Sequence, residues 1–209
     1  MTRMLDYLRD PAAIYRQSFA TVEREADLAS FDPDERIVAT RMIHACGMVD
    51  LASDIRFGNN AVESGLRAMH EGADILCDAQ MVAHGIITDR LPARNRVVCT
   101  LNDGKSYERS RSEQTTRSAA QVDDWALHGS IVVVGNAPTA LFRMIERVRD
   151  EASLPALVVG VPVGFVGAVE SKELLETTSI PYITVLGRRG GSAIAAAAVN
   201  ALAGMATRT

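Results

Sequence analysis

A chain of 209 residues, 47% apolar and 23% charged, can bury a full core and sits near the upper end of ordinary domain size, so one domain over 1–209 is expected. The formal net charge of −4 argues against a nucleic-acid partner, which would need a basic face. Cys46, Cys77 and Cys99 are odd in number and form no CxxC pair, which speaks against a disulfide frame or a structural zinc site and for reduced thiols in a cytoplasmic protein.

From the amino end, MTRMLDYLRDPAAIY has no long apolar stretch, so no secretory leader is expected. Asp10-Pro11 opens a helix to about Leu28, because Asp caps and Pro suits the first helical position. Asp32-Pro33-Asp34-Glu35 repeats the signal with capping-box spacing, and a second helix runs to Cys46, stopped by Gly47. Met48 to Phe57 shows no readable state. Asn60 is expected to cap a third helix to about Glu71, closed by Gly72. Ala73 to Cys77 reads as a strand, then MVAHGIITDRLPARN as a helical turn and loop, then Arg96 to Leu101 as a second strand. Asn102 to Gln114 is polar and aperiodic, expected as a surface loop or mobile lid, and Thr115 to Leu127 as helix.

The last eighty residues repeat one pattern three times. SIVVVGNAPTALFRMIERV (130–148), ALVVGVPVGFVGAVESKELL (156–175) and YITVLGRRGGSAIAAAAVNAL (182–202) each pass from a short apolar run through a glycine-rich bend into a helix. Runs such as Ile131 to Val134 are short, β-branched and without polar alternation, as suits strands covered on both faces. Five strands alternating with helices predict an α/β protein: a three-layer α/β/α sandwich on a mostly parallel five-stranded sheet. Ligands of such sheets bind outside the carboxyl ends of the strands. The Ala-rich tail, 193–206, makes only about three or four helical turns and is too short to span a bilayer. That helix is apolar all round and must be covered on every side, by a neighbouring helix or by a second copy of the chain.

Candidate site residues follow from this frame. Arg41 and His44 stand three apart on one face of an otherwise apolar helix. The bland reading is a solvated rim; the functional one is an anion clamp beside a group that titrates near neutrality. His70 and His128 read as structural residues near helix ends, and His84 sits in a bend that is able to line a site. Thr115-Thr116-Arg117-Ser118 opens a helix with hydroxyls, free amides and a cation, either an anion site or plain N-capping. Gly187-Arg188-Arg189-Gly190-Gly191-Ser192 offers the same device with a capping Ser, or else only a tight crossover turn. Neither GxxxxGK[ST] nor GxGxxG occurs, which disfavours a nucleotide cofactor.

RMIHACG (41–47), ILCDAQMVAHGI (75–86), TRSAA (116–120), GNAPTAL (135–141), PVGFVGAVESKE (162–173) and GGSAIAAAAVNAL (190–202) together, in this order, resemble the precorrin-8X methylmutase family of cobalamin biosynthesis. The resemblance implies the α/β/α fold, a homodimer and no metal or organic cofactor. It implies an isomerase that converts precorrin-8X to hydrogenobyrinic acid by a 1,5-sigmatropic methyl shift from C-11 to C-12. Relatives in the cobalt-first pathway use cobalt-precorrin-8 and give cobyrinic acid, and nothing in this sequence decides between the two substrates. By position His44 matches the family's catalytic acid, Ser18 a substrate-contacting serine, and Arg41 the neighbour of the histidine. Thr116, Arg117, Ser118, Gly190, Gly191 and Ser192 are the further expected substrate-binding positions, because a ring bearing many carboxylates suits scattered arginines and helix amino ends. Gln121 departs from the pattern, where a small residue is expected, and 48–64 and 102–114 match no family block. The rival readings are a non-catalytic tetrapyrrole-binding or delivery protein, which would not depend on His44, and a nucleotide-dependent enzyme on the same sheet.

Overall fold

The computed structural model describes residues 5–148 and 153–207, so the first four residues of the amino-terminal stretch and the extreme ends of the expected domain lie outside it. Helix α1 (Pro11–Glu25) begins as expected, with the Asp10 carboxylate accepting from the amides of Ala12 and Ala13. It ends short of Leu28 because Ala26 turns to extended backbone. Helix α2 (Pro33–Cys46) carries the full capping box, and Gly47 leaves it at φ 70. Before α3 (Ala61–His70), Asn60 occupies the cap position in left-handed backbone (φ 58), and its side chain caps nothing.

Six strands form one sheet, in the order β1-β6-β5-β4-β2-β3: β1 (Ile55–Gly58), β2 (Ile75–Cys77), β3 (Val97–Val98), β4 (Ile131–Val134), β5 (Leu157–Gly160) and β6 (Tyr182–Val185). The five expected strands are all present and mutually parallel, β3 being shorter than its apolar run. The sixth, β1, lies in the segment without a readable state. It is an antiparallel edge strand, with Ile55 opposite Val185 and Gly58 opposite Tyr182, and tertiary pairing rather than local pattern makes it a strand. Gly58 leaves room there for the Tyr182 ring, which an added Cβ would meet at 2.1 Å.

Two further expectations are corrected. Residues 102–114 are not a loop but hold helix α5 (Gly104–Ser112), packed on α6 (Arg117–Ala120). Its buried positions are Ser106 and Ser110, whose hydroxyls donate to backbone carbonyls of Thr100 and Tyr107, so it shows no apolar period. The expected helix 115–127 breaks into α6 and a 3-10 turn, Gln121–Asp124, before the backbone of Trp125 becomes extended.

Alternate strand residues feed two cores, in keeping with the two-residue side-chain period. Ile131 and Val133 of β4 face α2, α3, α4 (Gln80–Gly85) and α9 (Ser192–Ala206), with α1 outside α2. Val132 and Val134 face α7 (Pro138–Arg147), α8 (Ala168–Glu176) and the 3-10 turn. Helix α9 is buried almost throughout, and α2, α3, α4 and the sheet of the same chain cover it. Its burial therefore requires no second copy. Among the described residues, no helix is long and apolar enough to cross a membrane.

Candidate active site

Helices α1 and α2 bring Ser18, Arg41 and His44 together. On α1, Tyr15, Ser18 and Phe19 stand at helical i, i+3 and i+4, and so face α2 as one stripe. On α2, Met42 and Ile43 turn fully into the core, which leaves Arg41 and His44 at the seam between the helices. The Ser18 hydroxyl lies 2.7 Å from Nδ1 of His44. The rings of Phe19 and Tyr15 stand 5.0 and 5.9 Å from the imidazole and stack on each other at 4.1 Å. Arg41 donates to the Tyr15 hydroxyl, with its guanidinium 5.8 Å from that ring's centre. His44 stays exposed and Arg41 half-buried, so neither carries the cost of an unpaired buried charge. Two open clefts border this seam. One, of about 480 Å³, is lined by Leu8, Ser18, Val22, His44 and Val49; the other, of about 260 Å³, by Tyr15, Phe19, Arg41, Arg90 and Asn200.

The remaining expected site residues gather at the carboxyl edge of the sheet. Asp78, directly after β2, is fully buried, and its carboxylate accepts from the amides of Gly135, Asn136 and Ala137 at 2.7–2.9 Å. Burial pushes this carboxyl above its ordinary range, while the three amides pull it back. Gln121, which departs from the family pattern, donates from Nε2 to the Asp78 carbonyl and so braces the same bend. Thr116 caps α6 through the Ala119 amide and lies 2.7 Å from the Thr139 hydroxyl at the start of α7. Arg117 is exposed, with no ion pair among the described residues, and Ser118 is half-buried. Gly190 lies so close to β5 that a Cβ would stand 2.2 Å from the Val161 carbonyl oxygen, at φ +156. Gly191 donates its amide to that oxygen at 2.9 Å and, rather than Ser192, occupies the cap position of α9. Gly135 in turn sits against Ser192, whose Cα would be 2.9 Å from an added Cβ.

The two arginines of this turn differ. Arg189 is not free for an anion: its guanidinium pairs with Asp50 at 2.6 Å and Asp54 at 2.5 Å, in the segment after α2. Arg188 is exposed, lying over the Phe165 ring at 5.4 Å. The turn is thereby tied to the chain that leaves His44, and only its outer arginine faces solvent.

The other histidines stand apart. His84 closes α4 with Nδ1 2.8 Å from the Gln80 carbonyl, His70 ends α3, and His128 lies in the turn before β4 instead of at a helix end. All three cysteines are free, and burial raises the Cys77 thiol far above its usual range. Sequence reasoning missed Tyr15 and Phe19, although their spacing from Ser18 was visible, and it missed Asp78 and Lys172, which sit inside the matching blocks CDAQ and ESKE.

Residues 13–205 match the family model described as Precorrin-8X methylmutase. The precorrin-8X methylmutase of Pseudomonas aeruginosa is 55% identical over 96% of this chain and 98% of its own, and that of a Sinorhizobium species 50% identical over 95% and 96%. The cobalt-precorrin-8 methylmutase of Leptospira interrogans is 38% identical over 90% and 91%. Among solved structures, the precorrin-8X methylmutase of Thermus thermophilus superposes with a TM-score of 0.84 at 41% identity, covering 94% of this chain and 98% of that one.

Proposed function

The chain belongs to the precorrin-8X methylmutase family, methyl-moving isomerases of cobalamin biosynthesis, and we propose that it rearranges precorrin-8X to hydrogenobyrinic acid with His44 as the general acid. The observation that carries this reading is the 2.7 Å contact between the Ser18 hydroxyl and Nδ1 of His44. That contact engages one ring nitrogen and leaves Nε2 as the nitrogen that exchanges a proton with substrate. With the imidazolium, Nδ1–H donates to Ser18 and Nε2–H protonates a ring nitrogen of the macrocycle. The C-11 to methyl bond then breaks as the C-12 to methyl bond forms, and the ring nitrogen returns its proton to Nε2. The shift needs no nucleophile; it needs a polarised conjugated system held in one geometry.

The surroundings suit such a substrate. Tyr15 and Phe19 line one cleft with apolar surface for the macrocycle, while Arg41, Arg90, Arg117 and Arg188 are cations available to peripheral carboxylates. Ser18 both orients the imidazole and borders the cleft, and Thr116, Ser118, Gly190, Gly191 and Ser192 shape the sheet edge. Relatives named for the cobalt-free substrate share 50–55% identity with this chain and the Leptospira enzyme named for the cobalt substrate 38%, which favours precorrin-8X. The whole chain acts as one cytoplasmic domain and pairs as a homodimer of about 45 kDa, twice the 22.5 kDa chain. Sedimentation equilibrium giving a monomer at micromolar concentration would reject the dimer. Mixing the protein with precorrin-8X tests the reaction: the absorption spectrum is expected to convert to that of hydrogenobyrinic acid. Binding without conversion would favour a delivery protein instead.

A further inference from the structure

Lys172 is used by none of these steps. It lies on α8, is fully buried, and its Nζ donates to the Arg189 carbonyl at 2.8 Å. Among the described residues it forms no ion pair, so an ammonium is held inside the protein by one backbone acceptor. That arrangement is a poor source of stability, because an apolar side chain of similar volume would fill the site without desolvating a charge. Burial lowers Lys172 to about 8, with Asp54 pulling the other way.

What Lys172 grips is the turn between β6 and α9. Gly187, Gly190 and Gly191 all have positive φ there, so the backbone has little stiffness of its own. From one side Lys172 holds the Arg189 carbonyl; from the other the Arg189 guanidinium is anchored on Asp50 and Asp54. The Gly164 amide donates to the Arg188 carbonyl and the Gly191 amide to Val161, which presses the turn onto the loop after β5. The backbone of the turn is held by these contacts, while the Arg188 guanidinium lies exposed over Phe165.

We propose that Lys172 and Arg189 are positioning residues: together they clamp the Gly187–Ser192 turn so that Arg188 is presented to a carboxylate of the bound tetrapyrrole. The substrate half of this inference rests on the function proposed above; the clamp itself does not.

Amide hydrogen exchange on the tetrapyrrole-free protein tests the clamp directly. Lys172→Met is expected to speed exchange at Gly164 and Gly191, whose amides bond the turn to the loop after β5, by about tenfold or more while the melting temperature holds or rises, since a buried charge is removed. Against hydrogenobyrinic acid and precorrin-8X, Kd and KM are expected to rise about tenfold with kcat within about twofold, because the turn binds and does not react. Lys172→Arg, which keeps a cationic donor, should recover part of the affinity. Arg189→Gln cuts the other side of the clamp and should reproduce the phenotype; it carries the test alone if Lys172→Met does not fold. Unchanged exchange and unchanged Kd in Arg189→Gln would overturn the proposal, as would a lowered melting temperature in Lys172→Met with both readouts unchanged. Faster exchange in a protein whose wild type binds no hydrogenobyrinic acid would support the clamp and refute the substrate reading.

Discussion

The α1–α2 seam and the carboxyl edge of the sheet hold the two groups of expected site residues, and they are built in opposite ways. At the seam, polar groups contact one another through side chains: Ser18 with His44, Arg41 with Tyr15, beside aromatic rings and open clefts. At the edge, the buried polar side chains contact backbone: Asp78 holds three amides, and Gln121 and Lys172 each hold a carbonyl, while the side-chain pairs there, Thr116 with Thr139 and Arg189 with Asp50 and Asp54, are more exposed. A group saturated by backbone partners in a low-dielectric site sets shape and has little freedom to exchange a proton or follow a ligand. An exposed group with a side-chain partner keeps that freedom. The proposed function accordingly assigns chemistry to the seam and geometry to the edge.

The sharpest test of this division is His44→Ala. Turnover is expected to fall by about 10²–10⁴-fold, the usual worth of a general acid, with product still bound and folding stability changed by less than about 0.5 kcal/mol. Steady-state rates near wild type would break the assignment. Asp78→Ala should behave in the reverse sense. It strips one buried and two partly buried amides of their acceptor, and at about 1–3 kcal/mol for each unsatisfied buried group the loss should reach about 3 kcal/mol in urea unfolding. A loss below about 1 kcal/mol would mean that water replaces the carboxylate and that the edge is less dry than its geometry indicates.

Smaller effects grade the cations. Arg41→Ala and Arg117→Ala are each expected to weaken hydrogenobyrinic acid binding by about 1.5–3 kcal/mol and to reduce its salt dependence. Unchanged affinity by titration would return the arginine concerned to a solvated rim. Lys172 gives the pH test. Its folded value of about 8 lies below the ordinary 10.5, so between these values the unfolded chain binds more protons and stability rises with pH, by at most about 1.4 kcal/mol per pH unit. The buried Cys77 thiol acts in the opposite sense above its ordinary 9.0, so the quantity to follow is wild type minus Lys172→Met by urea unfolding from pH 7 to 10. A flat difference would contradict a charged, buried Lys172. Least of all, Thr116→Ala should cost α6 its cap, about 1 kcal/mol, a loss readable by the same method.

Elements whose signal is local were legible in the chain. Asp10-Pro11 and the Asp32–Glu35 box state where two helices begin, because capping needs only neighbours in sequence. The short, β-branched runs of β4, β5 and β6, without polar alternation, announce strands covered on both faces. Arg41 and His44 share a face by helical spacing alone, and the ordered blocks around them carried the family. Elements held by distant partners were not legible. Strand β1 exists because Val185 and Tyr182 pair with it. Helix α5 was hidden for a local reason instead, since its buried serines bond to carbonyls six and three residues back and leave no apolar period, and Asn60 fails to cap because its backbone is left-handed.

The same line runs through the site. Sequence by itself determined which residues are available for proton transfer and anion binding, since residue type and helical period suffice for that. Only the tertiary structure decided their roles. It set Ser18 against His44 across two helices, committed Arg189 to Asp50 and Asp54 and left Arg188 exposed, and enclosed Lys172 beneath the turn. It also covered α9 with helices of its own chain, which removes that helix as an argument for a second copy. The physical reason is common to all of these: a charge or donor takes its function from the partner it meets, and such partners lie 26, 135 or 139 residues away along the chain.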